Sequence, residues 1–262
     1  MNSLSVHEFG QSNSENTVVL LSSIATTHDA WANQIPVLEE DFRVLTVDHR
    51  GHGGSEVARV APGSTTVQQL CDDIVHALGA HGVNRFTVVG LSLGGALAQW
   101  IAANSGRVDR AVFSSTATYL GGEEKWSERT ETARSKGMEA MADGFLENWF
   151  TVGFRSEHPE EVERVREMIC GIDAEGYAQN GDALAGWDFE DQLGKITCPV
   201  LTIAGAQDPS TTPAELEKIA RGVSGPVESV VIDPGSHQVA IENPEEFNRA
   251  LTQFLRDASA SL

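Results

Sequence analysis

Ten residues, Phe86 to Gly95 (FTVVGLSLGG), limit the fold more than any other stretch of the chain. A run of β-formers ends in Gly90-Leu91-Ser92-Leu93-Gly94, and the helix-forming segment ALAQWIAA follows at once. The chain must pass from strand to helix within a residue or two. Gly90 and Gly94 suit such a crossing, because a Cβ at either position would collide where strand and helix meet. The residue at the apex is a serine, held in a strained backbone conformation with its hydroxyl raised above the sheet edge, which is the geometry of a nucleophile elbow. The helix N-terminus then turns backbone N–H groups and the positive end of its dipole toward that hydroxyl. At about 7% usage per fixed residue, roughly one chain in ten of this size carries Gly-x-Ser-x-Gly by chance. The flanking elements and the downstream partners must decide.

The flanks repeat one theme. Short β-rich runs at 17–23, 42–48, 86–92, 109–115, 199–205 and 227–233 alternate with helical patterns. The helical patterns read TTVQQLCDDIVHALGAHG, GALAQWIAANSG, TPAELEKIARGV and PEEFNRALTQFLRDA. Several strands are continuously apolar, as strands buried on both faces should be. Alternation of this kind implies right-handed crossovers and an α/β fold, with a mainly parallel central sheet and helices on both faces. The rhythm breaks between 119 and 195, where no strand is evident and helical patterns with glycine interruptions take over. We expect a core made of 1–118 and 196–262, with 119–195 an all-helical lid inserted into it. The insertion carries Trp126, Trp149 and Trp187 of the five tryptophans in the chain. These either line a site or simply hold the insertion together.

A serine needs a general base, and the base needs a carboxylate to fix its tautomer and steady the imidazolium. In this architecture the chain order is serine, acid, histidine. Strand PVLTIAG runs into Ala206-Gln207-Asp208-Pro209, and strand VESVVID runs into Pro234-Gly235-Ser236-His237. Asp208 and His237 thus follow separate strand ends, where sites form in open α/β sheets. Alone, Asp208 reads as a turn or cap residue and His237 as a solvated loop histidine. Their order and joint placement after Ser92 point to a Ser92–His237–Asp208 triad. The loop after strand 109–115 holds no acid, so Asp208 has no rival. Acyl transfer also needs donors for a developing oxyanion. The expected ones are the backbone N–H groups of Leu93, directly after the nucleophile, and of Ile24, in the Ser22-Ser23-Ile24-Ala25 loop after the first strand.

Lys and Arg number 18 against 38 Asp and Glu, a net charge of −20. That argues against nucleic acid or an anionic membrane as partner. The N-terminal residues lack the layout of a signal peptide, and Cys71, Cys170 and Cys198 are widely spaced without metal-like pairing, so a cytoplasmic protein with reduced thiols is expected. Asp48-His49-Arg50-Gly51-His52-Gly53-Gly54-Ser55 has the look of a metal motif, but it follows a strand, suits a tight turn, and has no further ligand set nearby in sequence. It reads as structural. His28 lies just past the oxyanion loop and either faces the pocket or does not. His7, His76, His81 and His158 read as ordinary.

Taken together, these motifs resemble the α/β-hydrolase superfamily, and within it the 3-oxoadipate enol-lactonases. The resemblance runs through WANQIPVLEEDFRVLTVDHRGHGGS, FTVVGLSLGGALAQW, TIAGAQDPSTTP and GSHQVAIENPEEFNRAL. It includes the insertion piece from Trp126 to Ile169, the part that diverges most between substrate classes. The enol-lactonase oxyanion loop commonly reads Asn-Ser-Leu-Gly and the histidine segment Ala-His-Leu, where this chain has Ser22-Ser23-Ile24-Ala25 and Ser236-His237-Gln238. The resemblance implies hydrolysis of a carboxylate-bearing enol-lactone to 3-oxoadipate in aromatic catabolism, through an acyl-serine, with no metal or organic cofactor. A small anionic substrate then needs a local cation, because 119–195 is itself acidic. Arg129 and Arg134 are the candidates, beside Trp126 and Trp149 as pocket walls; the alternative is that both arginines are exposed helix charges in i,i+4 pairs. A carboxylesterase, a carbon–carbon bond hydrolase or a perhydrolase would keep the triad and change the pocket. A haloalkane dehalogenase would need an aspartate in place of Ser92. A non-catalytic ligand-binding scaffold is the reading from outside enzymes. Oligomeric state is not legible.

Overall fold

Seven strands build one sheet in a computed structural model that describes residues 3–11 and 16–257. They are β1 (Val6–Gly10), β2 (Thr17–Leu21), β3 (Arg43–Val47), β4 (Phe86–Leu91), β5 (Val108–Ser114), β6 (Val200–Gly205) and β7 (Val227–Ile232). Their order is β1-β3-β2-β4-β5-β6-β7, with β1 antiparallel to β3 and every other pair parallel. Six of the seven coincide with the runs read from sequence, within a residue or two at each end. The exception is β1, whose residues VHEFG are only half buried at the sheet edge and carry no continuous apolar run.

The helices are α1 (Ile35–Leu38), α2 (Val67–Ala80), α3 (Leu93–Asn104), α4 (Gly122–Lys136), α5 (Glu139–Trp149), α6 (Val152–Glu157), α7 (Pro159–Cys170), α8 (Ala174–Ala185), α9 (Pro213–Gly222), α10 (Val239–Glu242) and α11 (Pro244–Arg256). The pleat explains why the central strands are apolar throughout. Val19, Leu21, Leu45, Val47, Val88 and Phe113 pack with α2 and α3 on one face. Their neighbours Val18, Leu20, Val44, Val89, Val112 and Leu201 pack on the other face with Phe247, Leu251 and Phe254 of α11. Alternate residues thus enter two separate cores.

Helices α4 to α8 all fall between β5 and β6. The insertion is pinned at its base by the pairing of Tyr119 with Asp188. It also docks through α8 on the loop after β3. Gly51 (φ +68°) and Gly176 meet there so closely that a Cβ on Gly51 would sit 2.2 Å from the Gly176 Cα. Asn180 donates to the Arg50 carbonyl at 2.8 Å, and Gln179 pairs with the backbone of Ala58.

Candidate active site

The elbow forms as its sequence requires. Ser92 sits between β4 and α3 at φ +58°, ψ −113°, a left-handed conformation that costs a non-glycine residue of order 1–3 kcal/mol. The surroundings hold it there. The Ser92 N–H donates to the Ser114 carbonyl at 3.0 Å, and Thr116 Oγ1 donates to the Ser92 carbonyl at 2.9 Å. A Cβ on Gly90 would lie 2.1 Å from the Gly94 carbonyl oxygen, and one on Gly94 would lie 2.0 Å from that of Leu21. No other residue fits either position.

Three groups remote in sequence meet at the strand ends. Ser92 Oγ lies 2.9 Å from His237 Nε2, and His237 Nδ1 lies 2.8 Å from Asp208 Oδ2. Asp208 also accepts from the N–H groups of Ser210 (2.8 Å) and Thr211 (3.0 Å) and from the Thr211 hydroxyl (2.7 Å). Burial pushes its carboxyl upward, but His237 and Thr211 more than offset this, so its pKa falls below the ordinary aspartate range. An ionised Asp208 fixes the proton on His237 Nδ1 and leaves Nε2 free to take the Ser92 proton.

Opposite the serine runs the Ser22–Ala25 loop. Among the described residues, neither the Ile24 nor the Leu93 N–H has a hydrogen-bond partner, while the neighbouring N–H groups of Ala25, Thr26 and Gly94 are all taken. Ile24 also lines the cavity that contains Ser92 and His237. The Asp48–Ser55 loop is what holds this segment. His49 Nε2–H donates to the Ser22 carbonyl at 2.7 Å, and His52 Nε2 accepts the Ala25 N–H at 3.0 Å while its Nδ1–H donates to the Arg50 carbonyl. Ala25 itself is held at φ +63°. Burial, helped by the nearby His49, pushes His52 down to about 3, so it stays a neutral acceptor. Burial also makes Asp48 harder to ionise, yet the backbone N–H groups of His28 and Gly54 and the His7 side chain hold it below the ordinary range. The loop braces the segment after β2.

The insertion roofs the site. A cavity of about 70 Å³ joins Ser92, His237 and Ile24 to Trp126, Arg129, Phe145 and Trp149. The Trp149 ring stacks over His237 at 6.3 Å. The Arg129 guanidinium lies 5.2 Å from the Trp126 ring and 5.0 Å from that of Phe145. Among the described residues it has no carboxylate partner. Lys125, which sequence reasoning passed over, lines the same cavity, also without a carboxylate partner. Burial and the adjacent Arg129 charge hold Lys125 below the ordinary lysine range. Arg134 must be corrected as an anion-binding candidate. It is absent from the cavity wall, and its guanidinium is spent on Glu175 (2.8 Å) and Asp182 (2.7 Å) of α8. Trp126 serves both proposed roles, since its Nε1–H also donates to the Leu120 carbonyl at 2.9 Å. Trp187 stays out of the cavity, stacked on Phe189. His28 also stays out, stacked on His7.

The histidine loop is tied to both neighbours. The Gln238 N–H donates to the Trp149 carbonyl at 3.0 Å, and Ser236 Oγ to the Asn148 carbonyl at 3.1 Å. Glu242 accepts from the Ser236 N–H and from the N–H and hydroxyl of Thr151. Gln238 Nε2 donates to Ser23 Oγ at 2.6 Å. One of the two segments that depart from the enol-lactonase pattern thus bonds directly to the other.

A mostly parallel sheet bearing a serine on a strand–helix elbow, with a histidine and an acid on later strand ends, defines a class. The chain belongs to the alpha/beta hydrolase fold family, whose sequence profile matches residues 16–244. It is 32% identical to 3-oxoadipate enol-lactonase 2 of Acinetobacter baylyi, over 95% of this chain and 91% of that protein. The crystal structure of the enol-lactonase from Burkholderia xenovorans LB400 superposes with a TM-score of 0.92 at 32% identity, covering 98% of this chain and 97% of that one. A thermophilic esterase from Thermogutta terrifontis, solved with malate bound, gives a TM-score of 0.90 at 26% identity over 100% of this chain and 95% of its own. With this kinship the chain is a hydrolase. No helix among the described residues is long and apolar enough to cross a membrane.

Proposed function

We propose that the chain opens a small carboxylate-bearing enol-lactone, with 3-oxoadipate enol-lactone as the substrate and 3-oxoadipate as the product, in the catabolism of aromatic compounds. The observation that carries this reading is one cavity lined both by Ser92 and His237, with Asp208 behind the histidine, and by two cations, Arg129 and Lys125, without carboxylate partners. In a chain of net charge −20, such cations are a local solution to binding an anion. The cavity, at about 70 Å³, is far smaller than the roughly 300–1,000 Å³ of pockets for drug-sized ligands, which argues against a long acyl chain.

In this mechanism Ser92 Oγ attacks the lactone carbonyl as His237 Nε2 takes its proton. Asp208 steadies the imidazolium, and the N–H groups of Leu93 and Ile24 receive the oxyanion. Collapse breaks the ring C–O bond. The ring oxygen leaves as an enolate, a better leaving group than an alkoxide; it takes back the proton held by His237, which frees that base, and the resulting enol becomes a ketone. Water, deprotonated by His237, then attacks the acyl-serine, releasing the new carboxylate and restoring Ser92. Arg129 and Lys125 hold the substrate carboxylate and leave the ring to meet Ser92.

The test is a comparison of kcat/KM for the enol-lactone and for neutral aryl esters. A preference for the lactone is expected, and an aryl-ester preference refutes the substrate assignment. Ser92→Ala must abolish both activities; unchanged turnover refutes the mechanism. The malate-bound esterase among the structural relatives favours one second reading, an esterase for short esters that themselves carry a carboxylate. That reading predicts a higher kcat/KM for acyclic hemiesters than for the lactone.

A further inference from the structure

We propose that His7, His28 and Asp48 form a binding site for one divalent transition-metal ion of the zinc type, separate from the active-site cavity. His7 lies on β1, Asp48 directly follows β3, and His28 follows the oxyanion loop after β2. None of the three lines the cavity around Ser92. Read along the sequence, the Asp48 loop has no ligands near it; the fold supplies them from two other elements.

One nitrogen from each imidazole and one Asp48 oxygen lie within 4.8 Å of one another. His7 Nε2 is 3.2 Å from Asp48 Oδ2, and His28 Nδ1 is 3.2 Å from Asp48 Oδ1. Ligand atoms on a tetrahedral zinc are about 3.3 Å apart when the bonds are about 2.0–2.1 Å. The donor atoms are thus already near their ligand spacing, and closing the set requires the two stacked rings to tilt apart until both in-plane lone pairs meet at one ion. The two rings are stacked at 3.6 Å and 32% and 25% exposed, so they have room to tilt and an ion has a way in. The carboxylate is fully buried and already aimed, because the N–H groups of His28 (2.8 Å) and Gly54 (3.1 Å) hold one oxygen each. Ser5 Oγ, 3.2 Å from His7 Nε2, completes the polar surroundings.

Two imidazoles with one carboxylate select borderline divalent ions over magnesium or calcium, which take mainly oxygen ligands. The outer partner fits as well. His28 Nε2 faces the Asp29 carboxylate at 3.5 Å, the arrangement in which a ligating imidazole donates its other N–H to a carboxylate. In the ion-free protein each ring donates an N–H hydrogen bond to the Asp48 carboxylate. When an ion binds, each ring's proton moves to its other nitrogen, and in His28 that proton then points at Asp29. A filled site would link β1 to the segment that carries the Ile24 donor.

The experiment titrates tag-free, chelator-stripped protein with Co²⁺ by visible absorption and with Zn²⁺ by calorimetry. The expected result is one equivalent bound, with visible bands of a low-coordinate cobalt ion that Zn²⁺ abolishes. His7→Phe keeps a stacked ring but no ligand, and His28→Leu removes the second ligand. Each should lose the bands and weaken Zn²⁺ binding by more than the roughly 10- to 100-fold that losing an outer partner costs. Asp29→Asn should cost about tenfold. Absence of the bands in the parent protein overturns the proposal, as does their persistence in both ligand variants. If either variant fails to fold, imidazole NMR of the parent decides: signals of His7 and His28 that Zn²⁺ leaves unmoved overturn it equally.

Discussion

Replacing His52 by glutamine should flatten the acid limb of the stability curve by an amount that can be worked out in advance. His52 is fully buried and neutral, its pKa lowered from 6.5 to about 3, chiefly by burial and then by the nearby His49. An unfolded chain releases that histidine to water, where it titrates near 6.5. Between those two values the unfolded state therefore binds one proton more than the native state, and stability falls as pH falls. Integrated from pH 7 to pH 5, the loss from this one residue is about 2 kcal/mol. A glutamine at 52 carries no such proton, and its Oε1 can still accept the Ala25 N–H. The measurement is urea unfolding at pH 7, 6 and 5 for the parent and for His52→Gln. The rest of the chain is common to both proteins, so the difference isolates residue 52. The parent should lose about 2 kcal/mol more than the variant over that range. Parallel losses would show that His52 is not a buried neutral acceptor, and the bracing of the oxyanion loop would need another explanation.

Asp208→Asn should leave the fold intact and lower kcat on the order of ten-thousandfold, because the amide no longer holds the proton on His237 Nδ1; steady-state kinetics beside a thermal melt check this. Arg129→Ala and Lys125→Ala should each lower kcat/KM about 10- to 100-fold for carboxylate-bearing substrates, and leave neutral aryl esters nearly unaffected. Equal losses on both substrate types would mean that the two cations serve the insertion's packing instead. Gly94→Ala drives a Cβ into the Leu21 carbonyl oxygen at 2.0 Å and should cost about 3 kcal/mol or more, read as a fall in urea midpoint or as insoluble protein.

What sequence reading could reach follows from the distances involved. Ser92 and Asp208 were legible because each lies just past a strand buried on both faces, and such strands announce themselves as apolar runs; β7, before His237, is a mostly exposed edge strand that showed only through its valines and isoleucine. Strand β1 was not legible, since an edge strand of five half-exposed residues looks like a loop. With β1 went His7, and with His7 went the cluster on Asp48. The arginine choice was decided by helix geometry. Arg129 and Arg134 are five residues apart, about 140° around the helix axis, so they cannot share a face. Lys125 and Arg129 are four apart and do. That spacing was in the sequence, but a lysine on an acidic helix reads as solvated until the rest of the insertion closes over it. The bracing by His49 and His52 was beyond reach for another reason: its partners are backbone atoms some 25 residues away, and backbone atoms leave no trace in a sequence.

The hydrogen bonds joining Trp149 and Asn148 to Gln238 and Ser236, and Thr151 to Glu242, bear on how new specificities are grafted onto this scaffold. A chimera that imports another hydrolase's helices in place of 119–195 would also import foreign carbonyls beneath the general base. Residues 236–242 would then face strangers, and His237 would lose the register that sets it 2.9 Å from Ser92. The transferable module is therefore discontinuous: the roof and the histidine loop have to be exchanged together, or the recipient inherits a pocket without a working base.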